Sequence, residues 1–148
     1  VKYVHTNIIS RDWRKLAKFY IDVFDCIPVP PERKLSGEWL EKGTGLKGAD
    51  LEGVHLRLPG YGDNGPTLEI FQYKENEPGN SPAVNRPGFT HIAFSVADVN
   101  ETLRKIITNG GKALGEIVSK EIPGAGTIYF VYATDSEGNI IEIQKWEF

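Results

Sequence analysis

Two histidines and two glutamates stand at matching places in a chain that runs through one pattern twice. His5 lies in YVHTNIIS and His91 in FTHIAFSV, while Glu69 and Glu142 lie in TLEIFQY and IIEIQKW. Two neutral imidazoles and two carboxylates form a donor set that carries no net charge once a divalent cation is bound. Such a set suits Zn, Ni, Co, Mn or Fe(II) better than Ca, which prefers oxygen donors. Four protein donors also leave two positions of an octahedron open. The expectation is one divalent metal ion held by His5, Glu69, His91 and Glu142.

The elements that must position these groups repeat with them. In residues 3 to 10, Val4 and Ile8 point to one side and His5, Asn7 and Ile9 to the other, so the segment reads as a strand. Asp12 then caps WRKLAKFYIDVF, where Leu16, Phe19, Tyr20, Val23 and Phe24 recur at helical spacing up to about Asp25. The same order returns at residues 89 to 96, with Asp98 before VNETLRKIITNGG and Gly110 as the stop. Asp12 follows His5 by seven positions, and Asp98 follows His91 by seven.

Each half closes on a strand, turn and strand, over residues 54 to 73 and 127 to 146. Glu69 follows Gly65 by four residues, and Glu142 follows Gly138 by four. Alternation puts Glu69 with Thr67 and Phe71, away from Leu68 and Ile70. Likewise Glu142 and His91 lie opposite their apolar neighbours. If each half is a curved sheet with its helix outside, pairing the two by an approximate twofold axis makes a cup with the four donors inside.

The resulting α+β domain is expected to comprise module one at 1–75, a linker at 76–87 and module two at 88–148. Residues 28 to 50, with three prolines and Gly43-Thr44-Gly45, show no periodicity and read as an insertion over the site. His55 shares a face with Arg57, and both are candidates for holding an anionic substrate or for the wet side of the sheet.

A net charge of −3 with no basic stripe speaks against nucleic acid, and no apolar run approaches a membrane span. Cys26 is the only cysteine, so neither an internal disulfide nor a thiolate zinc cluster is available, and a cytoplasmic setting is expected. With no sequence neighbour to activate it, Cys26 reads as a packed side chain. A small molecule is the expected partner.

VHTNIISRDWRKLAKFYIDVFDC, GFTHIAFSVADV and ATDSEGNIIEIQ together resemble the vicinal oxygen chelate superfamily, which includes glyoxalase I, methylmalonyl-CoA epimerase, extradiol dioxygenases and the bleomycin resistance proteins. The resemblance spans nearly the whole chain and implies two βαβββ modules forming an incomplete barrel, and a homodimer. His5, Glu69, His91 and Glu142 resemble the four ligands of glyoxalase I, which implies an isomerase, epimerase or lyase. In that reading the metal polarises a carbonyl and Glu142 or Glu69 removes the adjacent proton, with Glu142 favoured by resemblance. Trp39, Phe71 and Tyr73 would then shape the pocket wall. Alternative activities are an Fe(II)-dependent extradiol-type dioxygenase and a non-catalytic drug- or metabolite-binding protein. Ile9 and Tyr73-Lys74 stand where glyoxalase I usually carries an arginine and an Asn-Trp pair, and RPGFTH departs from the epimerase pattern.

Overall fold

A computed structural model describes residues 1–148, which divide into two compact units, Val1–Gly79 and Asn80–Phe148. The first unit contains β1 (His5–Ile9), α1 (Trp13–Phe24), β2 (Ile27–Ser36), α2 (Glu38–Thr44), β3 (Asp50–Arg57) and β4 (Thr67–Tyr73). Its sheet runs β1-β4-β3-β2, with β1 parallel to β4 and the other neighbours antiparallel.

Helix α1 begins where the Asp12 carboxylate accepts the Lys15 backbone N–H at 3.1 Å. It ends at Asp25, whose left-handed backbone turns its N–H back to the Ile21 carbonyl. The apolar stripe of α1 packs on β3 and β4. Leu16 and Tyr20 of the helix and Leu56, Leu68 and Ile70 of the sheet are all 0% exposed. Each such side chain contributes about 1.5–3 kcal/mol by leaving water, so this layer fixes which sheet face is left for Glu69.

Residues 28 to 50 differ from the expected irregular insertion, because they supply strand β2 and helix α2. Pro28, Pro30 and Pro31 mask the strand in the sequence, since proline has no N–H for a ladder. The sheet accommodates them by placing β2 at its edge and by a register shift between Val29 and Arg33. Helix α2 is tied down by Leu40, which is buried with Ala49 and Leu51 and packed by Leu35, Phe71 and Tyr73.

The second unit contains β5 (His91–Ser95), α3 (Val99–Thr108), β6 (Lys112–Ala113), β7 (Val118–Ile122), β8 (Gly126–Thr134) and β9 (Ile140–Glu147). Strands run β5-β9-β8-β6, with β7 also paired to β8. Asp98 caps α3 by accepting the Glu101 N–H at 2.8 Å, and Gly110 ends it with φ +92°. Helix α3 packs on β8 and β9, whose inward residues Val131, Ala133, Ile141 and Ile143 are buried. Each unit is thus a βαβββ module of an α+β fold, with α2 and the short β6 as additions. No helix is long and apolar enough to cross a membrane.

Candidate functional site

Register brings the chemistry together in module one. Asn7 on β1 and His55 on β3 both lie opposite Glu69 on β4, and His5 lies opposite Thr67. All five point away from α1, because they alternate with the residues that cover the helix. Glu69 is only 9% exposed, and its two oxygens have different partners. Oε2 lies 3.1 Å from His5 Nε2 and accepts Asn7 Nδ2 at 3.2 Å, while Oε1 lies 2.9 Å from His55 Nε2. A carboxylate buried to this degree requires such partners, since its desolvation is costly.

The other nitrogen of His55, Nδ1, lies 3.2 Å from the Thr67 hydroxyl. Burial lowers the His55 pKa below the ordinary imidazole value; the Glu69 charge acts the other way, and Arg33 and His5 add to the lowering. Phe71 meets the His55 ring edge-on at 5.6 Å. That ring sits over Gly53, where an added Cβ would come within 2.7 Å of Phe71 Cδ1 and 2.1 Å of the Ile70 carbonyl.

Module two repeats part of this arrangement. Glu142 lies between Ala93 on β5 and Tyr132 on β8, and His91 lies opposite Ile140. His91 Nε2 is 3.2 Å from Glu142 Oε2, and the Tyr132 ring is 4.9 Å from the His91 ring. His91 Nδ1 lies 3.2 Å from the Thr90 hydroxyl.

The structure therefore joins the sequence-expected donors as His5 with Glu69 and His91 with Glu142. Donors bound side by side on a divalent cation at roughly 2.0–2.2 Å stand about 3 Å apart, so each pair, taken within its own module, has the chemistry and spacing of metal donors. No three His, Cys, Asp or Glu side chains are gathered as a metal cluster. In module one the two imidazoles approach opposite oxygens of Glu69 rather than a common point.

Of the other residues expected at the site, Arg57 lies across from Thr67 on the donor face, whereas Trp39 and Tyr73 stand apart from the donors. Arg57 pairs with the exposed Asp63 at 2.6 Å. Trp39 on α2 is 62% exposed. Tyr73 borders a hollow of about 180 Å³ shared with Lys34, Asp50 and Gln72, which includes none of the His and Glu donors. Cys26 is buried, and that burial with the nearby Asp25 charge pushes its thiol up to about 12, which leaves it unreactive.

Three residues near the donors are not singled out by the sequence: Asn7, Thr67 and Tyr132. Alternation already places Asn7 and Thr67 on the donor face, but their role depends on which strand lies alongside.

A family profile described as the Glyoxalase/Bleomycin resistance protein/Dioxygenase superfamily matches residues 2–143. A glyoxalase family protein from Bacillus cereus has a similar structure, with a TM-score of 0.78 at 19% identity, covering 100% of this chain and 94% of that one. A glyoxalase/bleomycin resistance protein/dioxygenase family enzyme from Burkholderia phytofirmans gives 0.62 at 13% identity, covering 99% and 100%. A glyoxalase family protein from Enterococcus faecalis gives 0.57 at 17% identity, covering 97% and 95%. At these identities the likeness is one of fold. Among curated proteins none matches the sequence.

Proposed function

Because the chain belongs to the glyoxalase/bleomycin resistance protein/dioxygenase superfamily, whose members typically bind a divalent metal, we propose that it is a metal-dependent isomerase, epimerase or lyase. It would move a proton beside a carbonyl of a small substrate. The observation that carries this reading is the repeated pair: His5 with Glu69 and His91 with Glu142, at the same register in both modules and with nearly equal spacing. His5 and Glu69 from one module, and His91 and Glu142 from the other, are the proposed metal donors. When bound, the divalent ion supplies Lewis-acid polarisation of the substrate carbonyl.

The chain's own groups divide the remaining work. Glu142, whose carboxylate meets one imidazole, is the proton acceptor in this reading, and Glu69, held by three side chains, stays in place. A free glutamate of pKa about 4.3 is a weak base at neutral pH, so proton removal requires the carbonyl to be polarised at the same time. Phe71 forms part of the substrate wall. Arg57 offers an anion contact because its surface pair with Asp63 is worth little and is readily exchanged. A homodimer is the proposed assembly.

Metal analysis of the purified protein, followed by substrate exchange in D2O, tests the reading. Candidate 2-oxo acids, hydroxy ketones, acyl-CoA thioesters and thiol hemithioacetals should include one whose α-hydrogen exchanges only with metal-loaded protein. Oxygen consumption with catechols would replace this function by a dioxygenase activity. Tight ligand binding without metal would replace it by a binding protein.

A further inference from the structure

His55 has a place that neither a substrate contact nor a fifth metal ligand accounts for. Both of its ring nitrogens are engaged within the module, Nε2 by Glu69 Oε1 at 2.9 Å and Nδ1 by Thr67 Oγ1 at 3.2 Å. Its side chain is only 19% exposed, which leaves little of it for a substrate. It also stands edge-on to His5, with ring centroids 6.1 Å apart, and approaches the other oxygen of Glu69.

The donor inventory then fixes the direction of the chain. An ionised carboxylate only accepts, so in a neutral ring Nε2 carries the hydrogen and donates it to Glu69. Nδ1 is left as an acceptor, and the Thr67 hydroxyl is the group that can donate to it. Since Thr67 and Glu69 are alternate residues of β4 and His55 lies across from Glu69 on β3, one strand pairing sets the whole arrangement.

We propose that Thr67 and His55 form a hydrogen-bonded strut that fixes Glu69, making His55 a positioning residue. It occupies one carboxylate oxygen so that the other is presented beside His5. The inference rests on the metal reading above for its consequence, but the strut itself exists without metal. Partners of this kind around a ligating carboxylate change metal affinity by roughly 10–100-fold when removed.

Cobalt(II) titration of the whole protein, followed by visible absorbance, tests the consequence. H55A should bind about 10–100-fold more weakly than the wild type. H55Q, whose amide N–H can reach the same oxygen, should recover most of that loss, and H5A should bind more weakly than either. Wild-type affinity in H55A would overturn the strut. Loss in H55A equal to that in H5A, without rescue by H55Q, would also overturn it and make His55 a ligand.

Nitrogen-15 NMR of the metal-free protein tests the strut directly and does not depend on H55A folding. His55 should be the Nε2–H tautomer, shifted by T67V. An Nδ1–H tautomer overturns the proposal. Wild-type protein that takes up no cobalt, nickel, zinc or manganese refutes the metal reading, and the tautomer still decides the strut.

Discussion

Across the strand from Glu69 stands His55, whereas across from Glu142 stands Tyr132. On the other side, Asn7 faces Glu69 and Ala93 faces Glu142. The two modules thus keep the His–Glu pair and differ in everything that braces it. A further exchange lies two residues along: Phe71 faces Gly53 in module one, while Gln144 faces Phe130 in module two. The aromatic ring has moved to the opposite strand, leaving each pairing one large side chain and one smaller. This asymmetry arises because a repeated register preserves which groups can meet, while cross-strand neighbours decide how firmly each is held. It also breaks the symmetry that leaves the choice of base open in the sequence.

The carboxylates themselves give the largest test. E69Q and E142Q should each weaken cobalt binding by more than about 100-fold, which is beyond the effect of losing an outer partner. Because Glu69 is the braced donor, E69Q should lose more metal than E142Q. At saturating cobalt, E142Q should lose α-hydrogen exchange in D2O. Greater metal loss in E142Q, or exchange that survives in it, would reverse the roles assigned to the modules.

The exchanged ring positions come next. G53A should destabilise the fold by about 1–3 kcal/mol, because the new Cβ meets a backbone oxygen that cannot swing away. Q144A should cost about 1 kcal/mol or less, since it removes the Trp146 Nε1 hydrogen bond to Gln144 Oε1 but creates no clash. Urea denaturation of the two variants measures the difference, and equal midpoints would show that Phe71 is not seated on Gly53.

The closing turns differ in the same sense. Asp135 is 1% exposed and accepts the Glu137 and Asn139 N–H groups and the Asn139 side chain, at 2.8–3.0 Å. Asp63 in the other turn is exposed and pairs only with Arg57 among these contacts. D135A should therefore cost about 1–3 kcal/mol, by leaving buried donors unsatisfied. D63A should cost less than about 1 kcal/mol, as expected for an exposed ion pair. Thermal unfolding in which D63A is the more damaging would invert the comparison.

Much of this was legible in the sequence for a simple reason: the features are local. Asp12 and Asp98 mark helix starts because a capping carboxylate acts three residues ahead, and both helices begin there. Alternation alone places His5, Glu69, His91 and Glu142 opposite the apolar face. Strand β2 escaped because its prolines erase the pattern that only an edge position makes acceptable. The short β6 and β7 escaped because they are exposed throughout and carry no apolar alternation. The roles of His55 and Tyr132 depend on the β3–β4 and β8–β9 registers, which no single strand encodes.

The prolines of β2 have an effect beyond the native sheet. An edge strand ordinarily offers a row of unpaired N–H groups to any extended chain nearby, which is how sheets grow into aggregates. Pro28, Pro30 and Pro31 lack N–H groups and so interrupt the donor pattern of this short stretch, and the register shift before Arg33 twists the remainder out of line. The β2 edge of the first module is thereby a poor template for strand addition. The same residues that hide the strand from a reader of the sequence also hide it from neighbouring polypeptides in a crowded solution.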